Sequence, residues 1–385
     1  MFNTELGLFC NLHEDWVELL THEPYCLKIK EDDNYVMFCY DQIRSDFKQT
    51  LVQEARGIIF RKGEWTNPVC WAFNKFGNYG ESWVPDLDWD TAFVTEKVDG
   101  SLIKVWYDCG WHISTNGAID AFDAKTSDVR MPDFGTYFIT AICDYGYFNF
   151  IEFTGNLNEN LTYMFELVGP YNRVVIPYDK PDVYFLGARN KFTGEEFSCA
   201  PGIVGALGLG RFKRPKVYPL TSLSDCVKAT EAFSWDQEGF VVCDANFNRV
   251  KIKSPSYVLA HYTRNNNVIT RRHLIRVILE NELEEFMCYA DDYKDVLLET
   301  HKLMRAFINT GNMMAQTCRK LILLDKKDYA EVVKTYPTIY QGLLFCNYDK
   351  FMSMQAYTQN WSETKWEEYL DNFESFTKSL YEENT

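Results

Sequence analysis

The sequence predicts an α+β fold in which a β-rich domain of antiparallel sheets with flanking helices (residues 1–254) precedes an all-helical domain (residues 255–385). Two observations lead to this prediction. Up to about residue 254, short apolar and β-branched segments are joined by turn residues, a pattern typical of hairpins. After Pro255, apolar residues recur at spacings of three and four, which is the period of amphipathic helices.

Three segments carry the prediction of hairpins. The segment "ARGIIFRKGEW" (55–65) predicts a strand, a Lys-Gly turn and a second strand. "SLIKVWYDCGWHIST" (101–115) predicts a hairpin that turns at residues 108–110. "EGFVVCDANFNRVKIKS" (238–254) predicts another that turns around residues 244–248. Since hairpins pair neighbouring strands in opposite directions, the sheets should be antiparallel.

The helical domain is predicted from periodicity that continues to the end of the sequence. The pattern runs through residues 257–309 and through "KLILLDKKDYAEVVKTY" (320–336). In the last segment, Trp366, Leu370, Phe373 and Leu380 fall on one helical face. We therefore expect this domain to be built from amphipathic helices around a core of its own.

Composition and charge exclude several classes of protein. The formal net charge of −16 argues against a protein that coats nucleic acid by bulk attraction, although local basic segments such as "RFKRPK" (211–216) remain. No stretch approaches the roughly 20 apolar residues of a membrane span, and the N-terminus lacks a secretory pattern. The 12 cysteines are scattered singly, which predicts neither zinc fingers nor a disulfide framework. We expect a cytoplasmic protein.

A charged lysine opens a strand in "EKVDGSLIKVW" (96–106). Lys97 is either a surface lysine before a tight turn or a nucleophile held in a pocket. An amine attacks only when it is unprotonated, so the second alternative requires burial or nearby cations that disfavour the charged form. Cations gathered in such a pocket would also bind the oxygens of a polyphosphate.

Other charged side chains occur next to apolar segments. Lys251 and Lys253 lie two positions apart, so on a strand they share a face that either borders an anion or is solvated. Glu166 lies inside one apolar run and Glu238 directly before another, where a carboxylate needs a cation, a metal or hydroxyl groups. Arg56, at the head of "RGIIF", suits either a phosphate or a core ion pair.

Together these segments resemble a known superfamily. The order of an arginine strand, "KVDGS", "FELVG", "DQEGFVV" and "VKIK" is similar to the covalent nucleotidyltransferases, which include ATP-dependent ligases and mRNA capping enzymes. The RNA ligase 1 type found in phage is the most similar group. "FNKFGNYGE" (73–81) resembles that group's lysine-aromatic-aromatic-asparagine element. The resemblance extends from about Tyr35 to Lys253.

The resemblance implies an ATP-dependent RNA ligase that joins 5′-phosphate and 3′-hydroxyl RNA ends. Its cofactors would be ATP and Mg²⁺ or Mn²⁺, and its partners single-stranded RNA or nicked tRNA ends in RNA repair, with the protein acting as a monomer. The resemblance gives roles to nine residues. Lys97 would form the lysine–AMP, Arg56 and Lys75 would hold phosphates or the 5′ end, and Asp99 and Gly100 would belong to the nucleotide site. Glu166 and Glu238 would serve the ribose and, through water, the metal, and Lys251 and Lys253 would bind the α-phosphate. Gly100 would let the backbone pass close to the nucleotide.

This sequence departs from the superfamily at three positions. Gly77 replaces a second aromatic residue, and Asn116 stands where many relatives carry a basic residue. Leu102 stands where DNA ligases and capping enzymes usually carry arginine. Two alternatives stay open. One is a DNA ligase or capping enzyme, which a helical rather than β-barrel second domain argues against. The other is a non-catalytic RNA-end-binding protein, which Gly77 and Asn116 favour and the intact Lys97, Glu238, Lys251 and Lys253 argue against.

Overall fold

The computed structural model describes residues 3–263, 269–280, 282–283, 286–287, 293–321 and 323–382. The chain divides into two compact units, Met1–His261 and Tyr262–Thr385. The division follows His261 rather than Ser254, because Tyr257 donates a hydrogen bond of 2.9 Å to the buried carboxylate of Asp99 and so ties the segment after Pro255 to the first unit.

The described strands of the first unit form three sheets. The strands are β1 (Lys28–Glu31), β2 (Tyr35–Cys39), β3 (Arg56–Arg61), β4 (Gly77–Asn78), β5 (Phe93–Glu96), β6 (Ser101–Tyr107), β7 (Trp111–Thr115), β8 (Leu161–Val168), β9 (Asp182–Asn190), β10 (Glu196–Ser198), β11 (Val217–Tyr218), β12 (Gly239–Cys243) and β13 (Arg249–Lys253). The strand orders are β1-β2-β3, β10-β9-β8-β6-β7 and β11-β5-β12-β13-β4. The predicted antiparallel pairing is confirmed for these sheets, except that β4 pairs with β13 in parallel.

Two of the three predicted hairpins are confirmed. Strands β6 and β7 pair with Tyr107 opposite Trp111, and β12 and β13 pair with Cys243 opposite Arg249. The prediction of a second strand after the Lys-Gly turn of residues 62–63 is wrong, since this part forms a single bridge between Arg61 and Glu64. Strand β3 is instead paired along its length with β2.

Alternation along β13 positions the site described below. Val250 and Ile252 are buried in a cluster with Phe240 and Val242 of β12. Side chains alternate between the faces of a strand, so Arg249, Lys251 and Lys253 project from the opposite face. The predicted common face of the two lysines is therefore confirmed, and it includes an arginine as well.

The helices of the first unit cover the sheets. They are α1 (Glu5–Leu12), α2 (Trp16–Thr21), α3 (Thr50–Glu54), α4 (Phe134–Cys143), α5 (Phe150–Thr154), α6 (Pro201–Ala206), α7 (Leu223–Glu231) and the greater part of α8 (Pro255–Thr263). Asp133 caps the N-terminus of α4 by accepting a hydrogen bond from the backbone N–H of Thr136. Phe138 of α4 and Phe153 of α5 pack on Phe165 of β8, with ring centroids 5.4 and 6.0 Å apart. This aromatic cluster fixes β8, which carries Glu166.

The described secondary-structure elements of the second unit are helices, as predicted. The helices span Arg271–Leu279, Lys294–Arg319, Lys326–Val333, Thr338–Cys346, Met354–Thr358 and Glu363–Glu382. Trp366, Leu370 and Phe373 are buried together with Phe307 and Tyr340, so the predicted apolar face is the core of this unit. The side chain of Leu380 lies outside the described part. Among the described helices of the chain, none combines the length and apolarity that a membrane crossing requires.

Candidate active site

A cavity of about 310 Å³ lies between the two five-stranded sheets of the first unit. Its wall brings together seven of the predicted site residues: Arg56, Lys97, Gly100, Glu166, Glu238, Lys251 and Lys253. Arg56 lies on β3, Glu166 on β8, and Lys251 and Lys253 on β13. Lys97 directly follows β5, Gly100 directly precedes β6, and Glu238 directly precedes β12. A volume of this size lies at the lower end of the range of ligand pockets.

Lys97 forms a close ion pair on the cavity wall. Its Nζ atom lies 2.6 Å from Oε1 of Glu238, and its backbone N–H donates to the carbonyl of Gly239 at 2.8 Å, continuing the β5–β12 ladder. The side chain of Lys97 is 21% exposed, against 4% for Glu238. The group paired with this amine is therefore a carboxylate, and the cations expected around it, Arg56, Lys251 and Lys253, line the same cavity.

Two carboxyl groups in the cavity have altered acidity. Burial raises the pKa of Glu166 to about 7, partly opposed by the charge of Lys97. Burial also raises the pKa of Glu238, opposed by the charges of Lys97 and Lys253. Oε2 of Glu238 is buried without a hydrogen-bond partner in the described structure. A buried oxygen of this kind accepts a hydrogen bond from a ligand hydroxyl or from water.

Phe76 lies close to two cations. The guanidinium carbon of Arg56 is 5.1 Å from the centre of the Phe76 ring, and Nζ of Lys251 is 5.3 Å from it. Nη1 of Arg56 is buried without a partner among the described residues, so a donor is left to bind an acceptor in the cavity. Sequence reasoning did not single out Phe76, although "NKFGN" places an aromatic side chain directly after Lys75.

Asn116 belongs to the same wall. Its Oδ1 atom is buried and has no hydrogen-bond partner in the described structure, and its carbonyl accepts a hydrogen bond from Sγ of Cys39 at 3.1 Å. The sequence marked this position as a departure from relatives with a basic residue. The structure puts a neutral amide on the cavity wall there, beside the segment that carries Arg56.

Gly100 packs closely against β8. A Cβ atom added to it would lie 2.5 Å from the carbonyl oxygen of Leu167 and 3.1 Å from Cγ of Glu166. The close approach is therefore between the segment after Lys97 and β8. Gly100 also lines the cavity, so the implied close passage of the backbone beside a nucleotide stays a prediction.

Asp99 is not on the cavity wall formed by the described residues. Its carboxylate is 4% exposed and accepts hydrogen bonds from the N–H groups of Val175 and Ile176, at 2.9 and 2.7 Å, and from the hydroxyl of Tyr257. The resemblance assigned Asp99 to the nucleotide site. In the structure these three hydrogen bonds join the segment after Lys97 to residues 175–176 and to α8.

Lys75 lines a second cavity, of about 240 Å³, instead of the first. Its ammonium group lies 5.0 Å from the centre of the Tyr40 ring and 5.1 Å from that of Phe47. Phe76 and Arg249 line both cavities, so the two share a wall. The structure thus places Lys75 and Arg56, to which the resemblance gives the same role, on the walls of different cavities.

The sequence is similar to several known proteins. A family model described as "RNA ligase" matches residues 54–257. A protein of Autographa californica nuclear polyhedrosis virus, described as a putative bifunctional polynucleotide kinase/RNA ligase, is 28% identical over 337 residues, which are 82% of this chain and 46% of that protein. The chain thus spans less than half the length of this relative.

Two further similarities cover more of the other protein. The RNA ligase of Rhodothermus phage RM378 is 27% identical over 360 residues, which are 77% of this chain and 78% of the phage protein. Among solved structures, an archaeal ATP-dependent RNA ligase matches with a TM-score of 0.46 and 14% identity over 77% of this chain and 78% of that chain.

Proposed function

The chain belongs to the RNA ligase family, and we propose that it is an ATP-dependent ligase that joins a 5′-phosphate and a 3′-hydroxyl end of RNA. In the first step Nζ of Lys97 attacks the α-phosphorus of ATP. A phosphorus–nitrogen bond forms, the bond to the bridging oxygen breaks, and pyrophosphate leaves. In the second step AMP passes to the 5′-phosphate of RNA, and in the third the 3′-hydroxyl attacks and AMP is released.

The observation that supports this proposal is the pairing of Lys97 with Glu238 inside a cavity lined by cations. The amine must lose a proton before it attacks, and Oε1 of Glu238 is at hydrogen-bond distance to accept it. Burial raises the pKa of Glu238, which makes this carboxylate a better proton acceptor than an exposed one. Glu238 is then the general base of the first step.

The cations of the wall are assigned to the phosphate oxygens. Lys251 and Lys253 bind the α-phosphate and stabilise the charge that develops on it during transfer. Nη1 of Arg56, which is buried without a described partner, fits a phosphate oxygen. The donors on the cavity wall therefore suit the phosphate groups of ATP.

The acceptors of the cavity fit the remaining groups of the substrate. Oε2 of Glu238 accepts from a ribose hydroxyl or a metal-bound water, and Glu166 contributes a second carboxyl. Magnesium or manganese, when bound, would be held by these two carboxyls through water and would neutralise charge on the phosphates of ATP. Single-stranded RNA or a broken tRNA is the proposed substrate, and the proposed site of action is the cytoplasm of the cell in which the protein is made.

Covalent labelling tests the proposal. The protein is incubated with ATP labelled at the α-phosphate and Mg²⁺, then run on a denaturing gel. We expect a labelled band in the wild type, release of the label by pyrophosphate, and no band for Lys97→Ala. An unlabelled wild type would support the alternative of a non-catalytic RNA-end-binding protein, and a labelled Lys97→Ala would show that another residue is the nucleophile.

A further inference from the structure

The second cavity lies next to the first and is lined by charged, amide and aromatic groups. Its wall includes Lys75, Trp83, Asn246 and Asn248, and it shares Phe76 and Arg249 with the first cavity. Nothing in the proposed reaction of Lys97 with ATP uses Trp83, Asn246 or Asn248. This cavity is therefore available for a different part of the reaction.

A row of cations on β13 connects the two cavities. Lys253 and Lys251 line the first cavity, and Arg249 lines both. At roughly 3.3 Å per residue, the strand from Lys253 to Arg249 spans about 13 Å. Phosphate groups of one ligand on this face would meet Lys253 and Lys251, whereas the charge of Arg249 is balanced by Glu196, which lines the second cavity too.

Lys75 is a cation without an acidic partner. Its ammonium group lies over the rings of Tyr40 and Phe47, its described hydrogen bond is a long one of 3.4 Å to Oε1 of Gln42, and it has no ion pair with any described residue. Arg249 on the same wall differs, because Glu196 neutralises it at 2.7 Å. A half-buried cation flanked by rings and lacking a carboxylate favours the binding of an anion.

The other side chains of the wall suit a nucleotide. Asn246 is exposed, and its side-chain amide has no hydrogen-bond partner in the described structure. Trp83 is partly exposed and is held by Phe47, with ring centroids 5.4 Å apart. A cation, a free amide and a fixed aromatic ring are the groups with which proteins bind the phosphate and the base of single-stranded nucleic acid.

We propose that the second cavity binds the 5′-phosphorylated end of the RNA that receives AMP. The inference rests on the proposed ligase function and adds a site for one of its substrates. Phosphates of the RNA end bind near Lys75 and Asn246, and a base stacks on Trp83. The shared wall of Phe76 and Arg249 then directs the terminal phosphate toward the AMP on Lys97 in the first cavity.

A change of charge at Asn246 tests this site. Asn246→Asp brings a carboxylate to the cavity wall and Asn246→Lys brings an ammonium group, at an exposed position that should not disturb folding. Asn156→Asp is the matched control, because Asn156 is exposed and lines neither cavity. Binding of labelled oligoribonucleotides with a 5′-phosphate or a 5′-hydroxyl is measured without ATP by fluorescence anisotropy, at a fixed salt concentration.

In the wild type and in Asn156→Asp we expect the 5′-phosphate to tighten binding by about tenfold, the effect of one well-placed charge pair near a protein surface. Asn246→Asp should abolish this preference and Asn246→Lys should increase it. A wild type without the preference, or an Asn246→Asp protein that keeps it, would overturn the proposal. These outcomes do not depend on catalysis, so the RNA site is tested separately from covalent labelling of Lys97.

The polyphosphate tail of ATP also carries phosphate groups and is the alternative ligand for the second cavity. The concentration of ATP that gives half-maximal labelling of Lys97 is therefore measured for the same proteins. We expect Asn246→Asp to raise it by far less than it weakens binding of 5′-phosphorylated RNA. An increase in this ATP concentration together with an unchanged preference for 5′-phosphorylated RNA would assign the second cavity to ATP and overturn the RNA site.

Discussion

Nζ of Lys97 and Oε1 of Glu238 are 2.6 Å apart, although Glu238 is 4% exposed and belongs to the segment before β12, far along the chain. The pair joins the two segments on which the proposed first step depends. The amine attacks only after it has lost a proton, and Oε1 of Glu238 lies at hydrogen-bond distance from it. Transfer of the proton to Glu238 is therefore part of the reaction that we propose.

Replacing Glu238 with glutamine should slow formation of the lysine–AMP by about 100-fold or more, because an amide of nearly the same shape does not accept the proton. The rate of labelling in a single turnover at saturating ATP measures this. In the wild type the rate should rise with pH as Glu238 loses its proton, and the variant should lack this dependence. Glu64→Gln, at an exposed carboxylate outside the cavity, is the control. A Glu238→Gln protein with a wild-type rate and pH profile would rule out this general base.

Lys251→Ala and Lys253→Ala should each raise the barrier of the same step by about 2–4 kcal/mol, the scale of one lost group that stabilises developing charge. The loss should appear in the rate at saturating ATP more than in ATP binding, because the interaction strengthens as charge shifts.

Ile252, on the other face of β13, serves as the matched comparison. Its side chain is fully buried, so Ile252→Ala should lower the free energy of unfolding by about 2–5 kcal/mol and leave the folded fraction active. Normal labelling by both lysine variants would mean that this strand face does not bind the α-phosphate.

Gly100→Ala should both destabilise the first unit and slow labelling of Lys97. The new Cβ atom meets the carbonyl oxygen of Leu167 at 2.5 Å, and the backbone of β8 has little room to move. Gly110→Ala is the control, since an added Cβ atom there meets no described atom within 4 Å. Melting temperature and labelling rate are measured together, and equal values for Gly100→Ala and the wild type would contradict the packing role.

Asp99→Ala should lower the free energy of unfolding by about 3 kcal/mol, because two backbone N–H groups and the hydroxyl of Tyr257 lose their acceptor. Tyr257→Phe removes one of these bonds and should cost about 1 kcal/mol. Urea unfolding measures both variants. If Asp99→Ala kept its stability but bound ATP poorly, Asp99 would have the role in the nucleotide site that the resemblance implies.

The partly buried carboxyl of Glu166 should make stability depend on pH. Its pKa of about 7 in the folded protein lies above its ordinary value of 4.5. The protonated form is thus favoured by folding, so the contribution of Glu166 is fully present below pH 4.5 and is lost as the pH rises through 7. The loss should be about 3 kcal/mol.

Glu166→Gln should remove this part of the pH dependence, because the amide does not ionise. The free energy of unfolding is measured by urea at several pH values for the wild type, this variant and Glu159→Gln, whose carboxylate is exposed. Parallel curves for all three proteins would contradict a raised pKa at Glu166.

The sequence by itself determined the features that depend on local pattern. The hairpins of β6–β7 and β12–β13, the shared face of Lys251 and Lys253, and the apolar helical face with Trp366 follow from periods of two and of three to four residues. The resemblance also selected seven residues that line one cavity, since short motifs keep their spacing even when the chain between them varies.

The tertiary structure decided which groups these residues meet. The sequence contains no signal that Glu238 would face Lys97, that Tyr257 would bind Asp99, or that Lys75 would lie over the rings of Tyr40 and Phe47 in a separate cavity. Each of these contacts joins segments from different strands or loops. A periodic pattern reports the face on which a side chain lies, whereas its partner is fixed only when sheets and loops pack together.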